Sequence, residues 1–136
     1  MRIVMDTNVV LTALFFGGPS RRIIEFVVQG KVAAYATREI VAEYEAAVAK
    51  IASKKGGRLR PNLLLPLTMR LHMIGTKPKP ALCRQPSDDR FLSCAMDAKA
   101  EYIVIGFKEL YLRKLGKRVH MMTAEGLSLL LNLCEE

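Results

Sequence analysis

Three sets of carboxylates in this chain are spaced so that they can meet at one end of a sheet. Asp6 closes the apolar run Ile3-Val4-Met5. A glutamate, Glu43 or Glu45, lies inside a helical stretch, and Asp88-Asp89 open a later one. Carboxylates that share one crevice repel each other unless a positive charge neutralises them. Hard divalent cations such as Mg²⁺ and Mn²⁺ take such oxygen ligands. An ion held this way polarises a phosphodiester and activates a water for in-line attack. Each acid also has a plainer use. Asp6 can cap the following turn or helix, and Asp88-Asp89 can complement a helix dipole.

The elements that must position these acids follow from the apolar pattern. Ile3 to Met5 has no polar alternation, as expected of a strand buried on both faces. Asp6 then stands at the carboxyl edge of a sheet, where open α/β folds place their ligand crevice. Apolar residues continue from Leu11 to Phe16 before the break at Gly17-Gly18-Pro19. Ser20 is expected to cap a helix carrying Ile23, Ile24, Phe26, Val27 and Val28, which Gly30 closes. Residues 32–36 form a second strand.

Thr37 caps the next helix, whose stripe is Ile40, Val41, Tyr44, Ala47, Val48 and Ile51. Glu43 and Glu45 flank that stripe on opposite sides, each roughly 100° from its centre, and Glu39 points further out. Helical geometry does not choose between them. Asn62 to about Ile74 reads as a further amphipathic helix, and residues 76–80 as an extended connection. Phe91, Leu92, Ala95 and Ala98 face the core from the helix that Ser87 or Asp88 caps, with Asp97 on its solvated side. Strands at 102–105 and 119–122 follow, with a short helix around 108–115 between them and a final helix that Thr123 caps. This alternation predicts an α/β domain with a parallel sheet, one domain over residues 1–136.

Net charge is +8, from 21 Lys and Arg against 13 Asp and Glu. A basic chain attracts polyanions without specificity. Lys50, Lys54, Lys55, Arg58 and Arg60, around Gly56-Gly57, form a basic connection that can track a nucleic-acid strand or serve as a solvated turn. The three cysteines, Cys83, Cys94 and Cys134, have no C-x-x-C spacing, so neither a disulfide framework nor a zinc site is expected. The expected setting is cytoplasmic, with no membrane span. His72 and His120 read as surface or packing residues, and the seven methionines as core filler.

Taken together, the motifs resemble the PIN (PilT N-terminus) domain ribonucleases, especially the toxin components of toxin–antitoxin systems. The resemblance spans nearly the whole chain. Asp6-Thr7-Asn8 is similar to the family's opening motif. Glu39-Ile40-Val41-Ala42-Glu43-Tyr44 is similar to its helical glutamate motif and selects Glu43 over Glu45. The segment from Cys83 to Leu92 resembles the acidic helix start, with Asp89 best matching the metal-binding aspartate and Asp88 beside it. Tyr102-Ile103-Val104 resembles the strand before the last acidic site. The resemblance implies a three-layer α/β/α fold whose mainly parallel central sheet has about four to five strands. It also implies an endoribonuclease that cleaves single-stranded RNA with Mg²⁺ or Mn²⁺, an antitoxin partner and a homodimer. Asp6, Glu43 and Asp89 would be catalytic and, with Asp88, would hold metal. Thr7 and Asn8 would support them, and Lys54, Lys55, Arg58 and Arg60 would bind RNA.

One position departs from the pattern. Family members typically follow that strand with Thr-Gly-Asp, whereas this chain has Ile105-Gly106-Phe107. Gln85 and Ser87 also stand where acids are common. Two functional readings follow: a metal-dependent ribonuclease with a reduced ligand set, or a PIN-fold scaffold that binds RNA or protein. A phosphohydrolase of the haloacid dehalogenase type also starts from a strand and Asp-x-Asp. Here the second acid is Asn8, which has no acid proton to give.

Overall fold

Continuous apolar runs become the inner strands of a five-stranded, all-parallel sheet ordered β3-β2-β1-β4-β5. The structure, a computed structural model, describes residues 1–54, 64–77, 89–106 and 119–135, without the side chains of 133–135. The strands are β1 (Arg2–Met5), β2 (Ala33–Ala36), β3 (His72–Met73), β4 (Tyr102–Ile105) and β5 (His120–Thr123). The helices are α1 (Thr7–Phe15), α2 (Gly18–Val28), α3 (Arg38–Lys54), α4 (Leu64–Arg70), α5 (Asp89–Ala98) and α6 (Ala124–Glu135). Among the described residues this is a three-layer α/β/α arrangement. α1 packs on α2, and α2 on α4 and α6, while α5 lies across β2, β1 and β4. α3 touches both α1 and α5.

The topology decides where a ligand can bind. From central β1 the chain steps outward through β2 to β3, then returns to the other side of β1 for β4 and β5. The direction reverses between β1 and β4, and open α/β sheets hold ligands at the carboxyl ends of the strands at such a point. Asp6 leaves β1 there and Gly106 leaves β4. A Cβ added at Gly106 would stand 3.5 Å from Asn8 Cβ, so the end of β4 lies close beside the first turn of α1.

Ile3, Val4, Met5, Ala34, Ala36, Ile103 and Val104 are almost wholly buried in the core, against Val9, Ile24, Ile40, Tyr44, Leu92 and Leu127. Each large aliphatic side chain buried this way contributes about 1.5–3 kcal/mol. The expected caps hold: Ile40 N donates to Thr37 Oγ1 at 3.2 Å, and Gly126 N to Thr123 Oγ1 at 3.1 Å. Gly30 follows α2 with φ of 80°, the left-handed conformation that closes helices.

Several sequence expectations change. The apolar run before Gly17 is a helix, α1, which begins directly after Asp6. α2 starts at Gly18 with Gly17 as its cap and Pro19 in the first turn, so Ser20 is a buried helical residue. Positive φ at Gly17 and Gly18 lets the chain reverse without a Cβ clash, and proline presets the first helical turn. Lys50 and Lys54 belong to α3, not to a connection. The helix expected from Asn62 to Ile74 ends at Arg70. His72 and Met73 pair with Tyr35 and Ala36 as strand β3, and Ile74 N donates to Ala36 O at 3.0 Å. Open backbone groups on the edge of β2, with His72 stacked on Tyr35, outweigh helical spacing there. Asp97 is exposed but accepts a hydrogen bond from Lys77 N at 2.9 Å. The helix expected near 108–115 lies outside the described residues.

Candidate functional site

Asp6 is 7% exposed. Its backbone caps α1, with its carbonyl accepting from Val9 N and Val10 N, but its carboxylate makes no capping hydrogen bond. The amide of Asp6 donates to Val104 O at 2.9 Å, which ties the residue to β4 as well as to β1. Side-chain capping is therefore not what Asp6 is for.

α3 brings Glu43 to the same place. Thr7 Oγ1 donates to Glu43 Oε2 at 2.6 Å, linking the first residue of α1 to α3. Arg90, the second residue of α5, donates from Nη1 to Glu43 Oε1 at 3.3 Å and holds Nε 3.6 Å from Glu39 Oε1. Glu45 is exposed. Both oxygens of Glu43 are thus engaged, one by a hydroxyl and one by a guanidinium.

Tyr44 fixes the distance between these elements. It is fully buried, and its hydroxyl donates to Met5 O, the carbonyl just before Asp6. The β1–β2 register runs only through Arg2 and Ile3, so Met5 lies beyond it, and Tyr44 reaches from α3 to this carbonyl. Burial, with Cys94, Asp6 and Glu43 nearby, raises the Tyr44 pKa well above its ordinary value. The phenol therefore remains a donor at any working pH.

Asp6, Thr7, Asn8, Leu11, Glu43, Ala47, Lys50, Ile51, Lys54 and Phe91 line an open cleft of about 490 Å³. On α3, Glu43, Ala47, Lys50 and Lys54 recur at four, seven and eleven residues, which keeps them on one helical face. That face is acidic near β1 and basic at its far end. The family model for the PIN domain matches residues 2–106.

The chain belongs to the PIN domain family. PIN domains are in general nucleases and usually use divalent metals. No curated protein and no solved structure matches the chain. The PIN match runs from the start of β1 through Gly106, and so contains the whole cleft.

The donor set bears on the metal question. Two carboxylates, a hydroxyl and an amide offer only oxygen-type ligands and hydrogen-bond partners, which suits Mg²⁺ or Mn²⁺ over softer ions. Mg²⁺ commonly uses one or two protein carboxylates and completes its shell with water and substrate phosphates. Among the described residues, no group of three or more His, Cys, Asp or Glu could hold a metal ion. Among the described lining residues the cleft offers two carboxylates, Asp6 and Glu43, the number with which Mg²⁺ commonly combines water and substrate phosphates. It does not fit a self-sufficient protein cage.

Other sequence-predicted residues fall elsewhere. Asp89 opens α5, but it is not among the described residues lining the cleft. Asp88, Lys55, Arg58, Arg60 and Phe107 lie outside the described residues, as does Cys83. Cys94 is buried and forms no disulfide among the described residues. His72 and His120 are exposed and lie against Tyr35 and Tyr102. The sequence pattern did not point to Arg90 or to the strut made by Tyr44, and it put Lys50 in a basic connection instead of on the Glu43 face of α3. For Lys50 the seven-residue interval from Glu43 was a signal; for Arg90 there was none beyond its place after Asp89.

Proposed function

We propose that this PIN domain is a divalent-metal-dependent endoribonuclease that cleaves single-stranded RNA, and that it is the toxin of a toxin–antitoxin pair in the cytoplasm. What most supports the reading is one cleft, at the reversal point of the sheet, that joins Asp6 and Glu43 to Lys50 and Lys54. Among the described residues no helix is long and apolar enough to cross a membrane. The toxin role, its antitoxin and a homodimer come from the resemblance of the motifs.

Asp6 and Glu43 would hold Mg²⁺ or Mn²⁺; Asp89, at the start of α5, and its sequence neighbour Asp88 are the further metal-binding acids that the resemblance of the motifs implies. The ion, when bound, supplies Lewis-acid polarisation of the phosphodiester and a water of lowered pKa. Thr7 orients the Glu43 carboxylate through its hydrogen bond. Asn8 presents an amide to a phosphate oxygen. Lys50 and Lys54 neutralise neighbouring phosphates, while Leu11, Ile51 and Phe91 form the apolar side of the cleft. Lys55, Arg58 and Arg60 extend the basic run in sequence.

A second reading, a PIN-fold scaffold for RNA or protein, draws on two observations. The described residues form no cluster of three ligands, and Glu43 is already paired with Arg90. Calorimetric titration of Mn²⁺ into wild type and Asp6→Asn, with cleavage of single-stranded RNA on the same samples, separates the two. Binding and cleavage that both disappear in the variant are the expected result. RNA binding by the wild type with neither metal binding nor cleavage would favour the scaffold.

A further inference from the structure

We propose that Arg90 is a built-in counter-cation for Glu43, and that it must leave this carboxylate before Glu43 can ligate a divalent ion. The inference rests on the reading of the cleft as a metal site and specifies how that site is regulated. Arg90 would make metal affinity low in the free protein and let substrate raise it.

The geometry is specific. Arg90 comes from α5 and meets two acids one turn apart on α3, Glu39 and Glu43. Its side chain is 26% exposed and that of Glu43 31%, so the pair is screened only in part. The contact to Glu43 is a hydrogen bond of 3.3 Å, longer than the 2.7–2.9 Å usual for charge-assisted bonds. Nε is shielded from solvent and has no hydrogen-bond partner among the described residues, although Glu39 stands 3.6 Å away. The guanidinium is therefore held by charge without using its full donor set. Such a group can be exchanged.

Two cations cannot both occupy Glu43 Oε1 without strong repulsion. Once released, Arg90 retains Glu39 as a partner, so its charge is not stranded. Its donor fork also matches a phosphate, and a phosphodiester in the cleft offers the oxygens that Nε lacks. Metal and RNA would then favour each other: each removes part of the cost of moving Arg90.

Mn²⁺ affinity, measured by calorimetry without RNA, tests this directly. Arg90→Gln should bind Mn²⁺ about threefold to fivefold more tightly than wild type, the scale of a partly exposed ion pair. Arg90→Lys retains the charge and should stay close to wild type. Should Arg90→Gln not fold, Arg90→Met keeps the packing of the stem and carries the same comparison. Equal or weaker binding after neutralisation overturns the proposal, as does Arg90→Lys binding as tightly as Arg90→Gln. Adding Asp6→Asn separates this failure from that of the underlying reading. If Mn²⁺ binding is insensitive to Asp6→Asn, the ion is not in the cleft and both readings fall. If it depends on Asp6 but not on the charge at residue 90, only the role of Arg90 falls.

Discussion

The two ends of the cleft are built differently. At the β1 end, Asp6 is almost buried and tied to β4 through its backbone, and Glu43 is held by Thr7 and Arg90. Tyr44 locks this end from below, its hydroxyl on Met5 O. At the other end Lys50 and Lys54 stand exposed on the last turns of α3. The contrast matches what each end has to do on the proposed reading. Groups that share an ion must be held within a narrow range of positions. Ammonium groups that follow a flexible polyanion act through charge and reach, and rigidity would only restrict them.

The strongest way to break this contrast is at the acidic end. Glu43→Gln should lower metal-dependent RNA cleavage by on the order of 100-fold or more, whereas Glu45→Gln, on an exposed position, should leave it unchanged. Cleavage assays on both variants decide the choice between the two glutamates. Equal loss from both would remove Glu43 from the site.

Tyr44→Phe probes the strut. Leaving the buried Met5 carbonyl without its donor should cost about 1–3 kcal/mol in urea unfolding and weaken Mn²⁺ binding. The same tyrosine sets an alkaline signature. Its pKa is raised in the fold, so the native state keeps a proton that the unfolded chain releases above about pH 10. Its contribution is complete below that pH and is lost as the pH climbs toward the folded value. Stability measured against pH should therefore fall in strong alkali, with a slope shallower by up to one proton in Tyr44→Phe.

The smallest effect on the fold is expected at the basic end. Lys50→Gln with Lys54→Gln should change unfolding free energy by no more than about 0.5 kcal/mol. RNA affinity should fall, and its salt dependence should flatten by roughly 0.7 in log–log slope for each phosphate that is no longer neutralised. Fluorescence anisotropy across a salt series measures both. An unchanged slope would leave these lysines as solvated residues at the end of α3.

Much of this fold was legible because local pattern and tertiary need agree. The apolar runs at residues 3–5 and 102–105 have no polar face to expose, and both are inner strands. Thr37 and Thr123 are caps whose hydroxyls find the expected amides. Legibility failed where the spacing was ambiguous. Leu64, Leu67, Leu71 and Ile74 fit a helix as well as a helix followed by a strand, and the open edge of β2 decided it. For the site, Asp6 could be foreseen from a buried strand ending in an acid. Glu43 and Thr7 were foreseen only through the resemblance of their motifs, and the contact of Arg90 with Glu43 not at all, because α1, α3 and α5 are brought together in a way no local pattern encodes.

The sequence by itself determined the inner strands, the helix caps, the stripe of α3 and the order of motifs that makes this a PIN domain. Those features are local, set by side-chain size, burial and backbone preference over a few residues. Helical spacing left Glu43 and Glu45 open and the resemblance of the motif chose Glu43; the tertiary structure set Glu43 in one cleft with Asp6, left Glu45 exposed and placed Tyr44 against the end of β1. It alone decided that a guanidinium from α5 meets the carboxylate of α3. Each of these depends on how separate elements pack across the sheet, and a charge has no partner until the chain has closed around it.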